Sequence, residues 1–202
     1  MIEVFFDCSS PWTYLAFSNL SKLCSELDEA IVWRPILVGG VFNTINPSVY
    51  AQRADPVAAK ALYMKKDLGD WARQSGLTIK FPPSVFPVNS VKAMRGCLLL
   101  EPEGKLVQFA TAVFEAYWSN DLDISTDGVL SEVCECVSVN PRSFFAGIGS
   151  NDIKQRLRAN TEELVARGGF GSPTIFVAGD DMYFGNDRLP LVREAILRRR
   201  IR

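Results

Sequence analysis

The apolar residues of this chain change their spacing twice, and the order of those changes limits the folds open to it. Ile2-Glu3-Val4-Phe5-Phe6-Asp7 is short and apolar, a strand pattern. From Pro11 onward, Leu15, Ala16, Leu20, Leu23, Cys24 and Leu27 keep helical spacing. Residues 30–37 then read as a second strand, and the helical crossover makes it parallel to the first. Gly39-Gly40 punctuates the chain, and residues 42–50, with Asn46-Pro47, read as a loop. From about 56 to 168 the pattern is helical almost throughout, in segments 58–74, 90–100, 105–117, 127–137 and 152–166. Strands return after Gly168-Gly169-Phe170-Gly171. Thr174-Ile175-Phe176-Val177 turns at Ala178-Gly179-Asp180-Asp181 and pairs back through Met182-Tyr183-Phe184 as a hairpin. Residues 189–197 form a closing helix.

The order strand–helix–strand, helical block, strand–strand–helix predicts an α/β protein: a thioredoxin-like sheet interrupted by a large all-helical insertion. Residues 1–40 and 169–202 supply the thioredoxin-like part, and 41–168 the connecting loop and insertion. At 202 residues and 48% hydrophobic content the chain is long enough for such a core.

Chemistry concentrates where the first strand enters the first helix. Pro11 suits a first helical turn, where its missing N–H costs nothing. In a thioredoxin-like oxidoreductase this turn carries Cys-x-x-Cys, but here Ser10 and Thr13 hold the two cysteine positions. Hydroxyls form no disulfide. They can donate to a sulfur anion placed in the positive field of a helix N-terminus. The residues therefore point away from dithiol redox work and toward binding an external thiolate. The competing reading is that Ser10 simply caps the helix.

Two further motifs belong to the same region. Ser172-Pro173 opens an apolar strand, where proline cannot join the sheet ladder. A thioredoxin-like fold places a cis-proline there, facing the first helix, and the preceding residue offers its main chain to an extended peptide. Asn186-Asp187 opens the last helix. Such residues commonly cap helices, but they also suit an amino-acid head group, Asp187 pairing with its ammonium.

Composition excludes several classes. With no histidine there is no Ser-His-Asp triad, Cys-His dyad or His-ligated metal. The five cysteines form no Cys-x-x-Cys pair. Reduced thiols are expected, with Cys8 a small apolar filler and Cys134-Glu135-Cys136 ordinary helix packing. A net charge of −1 gives no general attraction to nucleic acid or anionic membrane. The basic stretch Arg198-Arg199-Arg200-Ile201-Arg202 reads as a solvated helix end. No apolar run is long enough to span a bilayer, and the first residues read as a strand and not a secretion signal, so a cytoplasmic protein is expected.

Five segments occur in a telling order: Phe5-Phe6-Asp7 with Ser10-Pro11-Trp12-Thr13-Tyr14-Leu15-Ala16, Pro35-Ile36-Leu37-Val38-Gly39-Gly40-Val41-Phe42, Tyr63-Met64-Lys65-Lys66-Asp67-Leu68, Gly171-Ser172-Pro173-Thr174-Ile175-Phe176-Val177, and Phe184-Gly185-Asn186-Asp187-Arg188-Leu189. Together they resemble the 2-hydroxychromene-2-carboxylate isomerases and their relatives, the kappa-class glutathione transferases, over nearly the whole chain. The resemblance implies a glutathione-dependent isomerase of aromatic catabolism that acts on a small aromatic carboxylate and works as a homodimer. It makes Ser10 the catalytic residue and Pro173 the cis-proline. Ser172, Pro173, Asn186, Asp187, Lys65 and Asn46 become glutathione contacts, with Lys66 a rival to Lys65. Lys65, Arg95 and Arg188 stay open as holders of the substrate carboxylate. A kappa-type transferase or peroxidase, and a non-enzymatic thioredoxin-fold peptide-binding module, are the alternatives.

Overall fold

A computed structural model describes residues 1–201 of the chain. Strand β1 (Ile2–Phe6), helix α1 (Pro11–Glu26) and strand β2 (Ile31–Pro35) open it. Helices α2 (Val38–Ile45), α3 (Ser48–Ala54), α4 (Ala58–Ser75), α5 (Val91–Leu100) and α6 (Leu106–Phe114) follow. A π-helical turn, Glu115–Ser119, extends α6, and α7 (Asp127–Cys136), α8 (Pro141–Ile148) and α9 (Asn151–Ala166) complete the insertion. Strands β3 (Thr174–Val177) and β4 (Asp181–Phe184), a 3₁₀ turn (Asn186–Arg188) and helix α10 (Leu189–Ile201) close the chain.

The sheet order is β2-β1-β3-β4. β1 runs parallel to β2, with Ile2 opposite Ile31, and antiparallel to β3, with Val4 opposite Ile175. β3 and β4 form the expected hairpin, Ile175 opposite Tyr183. Alternation along β1 serves two cores. Ile2, Val4 and Phe6 join a large core that continues through α1 into α5, α6 and α7. Phe5 faces the other way, with Ile36, Val41, Leu164 and Phe176. The insertion therefore packs through a core shared with the sheet. No described helix is long and apolar enough to cross a membrane.

Three stretches differ from the sequence reading. Residues 42–50 are not one loop: all but Asn46-Pro47 fall in α2 and α3. A distant acceptor starts α2, since the carboxylate of Asp7 takes the Val38 N–H at 2.8 Å. The helix expected over 105–117 gives way to π geometry at Glu115. Helix α8 was not expected, yet Asn140 caps it by accepting from Ser143 N–H at 3.1 Å and Pro141 begins it. The basic stretch is also less free than a solvated end. Arg199 and Arg200 reach Glu29 at 2.7 and 3.2 Å, while Arg202 lies outside the described residues.

Candidate active site

Ser10 sits where β1 has ended and α1 begins. Its backbone is extended (φ −110°, ψ 124°), and its Oγ accepts the Thr13 N–H at 3.2 Å, so it caps the helix as well. The same hydroxyl donates to the carbonyl of Ser172 at 3.3 Å. The Ser172–Pro173 bond is cis. Ser172 Oγ accepts the Asp7 N–H at 3.0 Å and lies 2.8 Å from Thr13 Oγ1. Both positions that would carry redox sulfurs, Ser10 and Thr13, thus touch Ser172. The arrangement gathers a hydroxyl, a helix N-terminus and the start of a strand on one spot, which suits an anion such as a thiolate.

The turn that carries Ser10 is held from three sides. Asp7 accepts from Ser9 N–H at 2.9 Å and from Val38 N–H. The Cys8 carbonyl accepts the indole N–H of Trp118 at 2.9 Å, and the Cys8 N–H points at Met94 Sδ, 3.3 Å away. Cys8 is fully buried, and burial with the neighbouring Cys97 thiol pushes its own thiol well above the usual range. It is the apolar filler that the sequence indicated. Of the Cys134 and Cys136 thiols, the first is buried and the second exposed, so they serve different faces.

Burial also raises the Asp7 carboxyl above the ordinary carboxylate range, against hydrogen bonds from Ser9, Val38 and Ser90. A carboxyl raised on folding contributes stability that is complete below the unfolded value, about 3.9, and is lost as pH rises through the folded value. The stability margin of the wild type over Asp7→Asn is therefore expected to narrow as pH rises above about 4. Urea midpoints of the two proteins across pH measure this, and a widening margin refutes it.

The head-group candidates gather beside this centre. Gly185 N–H donates to the Pro173 carbonyl at 3.2 Å, which brings the 3₁₀ turn against the cis-proline loop. Gly185 has φ 97°, and a Cβ there would lie 2.8 Å from Asp187 Oδ1, so glycine is required. Asn186 is buried, and its Oδ1 accepts from Asn19 Nδ2 at 2.9 Å. Asp187 is half-exposed and pairs with Arg188 at 2.6 Å. Asn46 ends α2 beside the loop leading to Ser172: its Nδ2 lies 3.5 Å from the Phe170 carbonyl and its Oδ1 accepts from Ser48. α4 runs alongside α1 in the same direction, since Leu68 packs with Leu15 and Ser75 bonds Asn19. Lys65 therefore lies toward the Ser10 end, exposed and without an acidic partner among the described residues, whereas Lys66 is paired with Asp70.

The sequence reading missed Arg53. Its guanidinium stands 5.5 Å from the ring centres of both Phe42 and Phe86. Phe86 in turn packs on Trp118, whose indole holds Cys8. Arg53 has no carboxylate partner among the described residues, so it is a cation mounted on aromatic faces and linked to the Ser10 turn through Phe86 and Trp118. Of the other cations considered, Arg188 is held by Asp187, and Arg95 keeps a buried Nε with no partner.

Comparison with known proteins places the chain as a whole among its relatives. A 2-hydroxychromene-2-carboxylate isomerase of Pseudomonas putida is 29% identical over 196 residues, 97% of this chain and 94% of that relative. Glutathione S-transferase kappa 1 of Homo sapiens is 26% identical, covering 95% of this chain and 88% of its own. A solved structure of 2-hydroxychromene-2-carboxylate isomerase superposes with a TM-score of 0.82 at 28% identity, over 98% of this chain and 94% of that one. The profile of the DSBA-like thioredoxin domain matches residues 1–197, and the chain belongs to that family.

Proposed function

We propose that this protein is a glutathione-dependent isomerase that interconverts 2-hydroxychromene-2-carboxylate and trans-o-hydroxybenzylidenepyruvate. The observation that carries the reading is the contact of Ser10 with Ser172: a hydroxyl at the N-terminus of α1, against the cis-proline loop, with no sulfur at either redox position. The full-length similarity to proteins named for this isomerase supports it.

The residues present fit glutathione. Ser10 supplies a donor for sulfur when its hydroxyl turns from the Ser172 carbonyl, and the same turn frees that carbonyl as a peptide edge for the backbone of glutathione. Asn186 carries a buried side-chain nitrogen, Nδ2, without a partner. When bound, glutathione supplies the reversible nucleophile. The chain's task is to make that sulfur anionic. A free thiol has a pKa near 8.5, and lowering it by about two units needs roughly 2.7 kcal/mol of preference for the anion. A hydrogen bond from Ser10 at about 1.5–3 kcal/mol, with up to about 1 kcal/mol from the α1 terminus, covers it. Arg53 on its aromatic support, with Lys65 as the second cation, holds the substrate carboxylate. Phe42, Phe86 and Trp12 offer apolar surface to its ring. The reading includes a homodimer, for which the exposed apolar side chains of Val57, Leu62 and Tyr63 supply surface.

The deciding experiment follows the substrate with glutathione present. The expected result is isomerisation with all glutathione recovered. Consumption of glutathione into a conjugate would assign the site to kappa-type transfer, and glutathione-independent turnover would refute the reading.

Asp187→Ala is expected to raise KM for glutathione by about two- to fivefold, with kcat nearly unchanged. The proposed contact is with the ammonium, far from sulfur, so it is equal in ground and transition states. The carboxylate is half-exposed and shared with Arg188, which limits its worth to that of a surface pair. If Asp187 only caps α10, the melting temperature falls and KM stays put.

A further inference from the structure

Asn19 lies on α1, nine residues past Ser10 and so about 13 Å along the helix axis. Helical side chains lean toward the N-terminus, which shortens that distance at the amide. Its Nδ2 donates twice, to Asn186 Oδ1 and to Ser75 Oγ, both at 2.9 Å. One bond fixes which way the Asn186 amide is turned. The other ties that choice to the last residue of α4. Asn186 Nδ2 is left buried and without a partner, a condition it shares among the described residues only with Arg95 Nε. A buried donor left unpaired is destabilising, so its persistence calls for a partner brought from outside.

Asn186 also lines a cavity of about 410 Å³ between α1, α4 and α10. The cavity carries Lys22 and Arg193, and its acid, Glu26, is already held by Arg193 at 3.0 Å. Its charge favours an anion. Its head adjoins the 3₁₀ turn, which Gly185 fastens to Pro173. Resting on the glutathione reading above, we propose that Asn19 is a positioning residue. It presents Asn186 Nδ2 to the α-carboxylate of the γ-glutamyl head group, which lodges at this end of the cavity. Nδ2 is closed to water, so the 3₁₀ turn yields slightly as the carboxylate seats. Asn19 borders the same cavity, but both hydrogens of its Nδ2 are taken by Asn186 and Ser75, so its part is to hold the amide in one sense.

The amide sense can be reversed without changing shape. In Asn19→Asp the carboxylate accepts from Asn186 Nδ2, and Oδ1 turns toward the ligand, where it repels a carboxylate and accepts from a carboxamide. Calorimetry would compare glutathione with its analogue carrying a carboxamide in place of the γ-glutamyl α-carboxylate. The wild type is expected to prefer glutathione by roughly ten- to hundredfold. Asn19→Asp is expected to erase or invert that preference. A general loss of structure would weaken both ligands alike, and melting curves on the same samples record it. An unchanged preference in Asn19→Asp, equal weakening of both ligands, or no preference in the wild type each overturns the role of Asn19 while leaving glutathione binding intact. Failure of the wild type to bind either ligand takes down the glutathione reading and this inference with it.

Discussion

Trp118→Ala is expected to lower the unfolding free energy by about 3–5 kcal/mol, the cost of emptying a large, well-packed aromatic site. Trp118 has no exposed surface, and its ring lies 4.4 Å from Tyr117 and 6.4 Å from Phe81, centre to centre. Its N–H is the tie between the helical insertion and the Cys8 carbonyl, two residues from Ser10. Trp118→Phe separates the two contributions. The ring is largely kept, the carbonyl loses its donor, and a cost of about 1–3 kcal/mol is expected. Because the lost bond anchors the turn, this second variant is also expected to raise the pKa of bound glutathione. Urea unfolding of both variants gives the energies. A loss below about 1 kcal/mol in Trp118→Ala would mean that the site closes over the deletion, contrary to the packing.

Ser10→Ala is expected to raise the pKa of bound glutathione by roughly one to two units, the equivalent of a charge-assisted hydrogen bond. At neutral pH the thiolate fraction falls, and the rising limb of the pH–rate profile moves upward by the same amount. The effect is partial because the terminus of α1 remains. The Ser10 carbonyl still accepts from Thr13 and Tyr14 N–H groups at 3.1 and 3.2 Å. Stability is expected to drop by about 1 kcal/mol through the lost cap. Ultraviolet titration of the thiolate reads the first effect and thermal melting the second. A lowered melting temperature with an unmoved thiol pKa would leave Ser10 as a cap and nothing more.

Ser10, Ser172 and Pro173 were legible because their signals are local: a strand that runs into a proline-led helix, and a proline at the head of a strand. Much of the helical block was legible for the same reason, its spacing being carried in each segment. α2 was hidden because its first N–H is satisfied by Asp7, 31 residues earlier, while Gly39-Gly40 imitated a break. α8 had its signal in plain view, asparagine before proline, and was passed over. The switch to π geometry at Glu115 had no local mark; it coincides with the turn that brings Trp118 to Cys8, and such bulges recur at functional sites. Arg53 lay in the segment between an expected loop and an expected helix, and nothing there foretold that two distant rings would seat it. Asn19 resembled any polar residue on the outer face of a helix, since its partners come from α4 and the last turn.

The placement of β3 beside β1 sets the order in which this molecule is made. The Asp7–Ser172 bond joins residues 165 positions apart, and contacts of such separation slow folding because a long loop must close before they repay it. On a ribosome adding about 5–20 residues per second, β1 and β2 emerge early and wait on the order of ten seconds for β3. Through that interval the long side of β1 that will receive β3 is an open edge, able to recruit another nascent chain. The helical block, built of nearer contacts, is expected to gather first and to cover one face of the strand, but not that edge. Assembly of the Ser10 site is thus one of the last acts of synthesis, and a chain interrupted before Ser172 carries the serine without the loop that completes it.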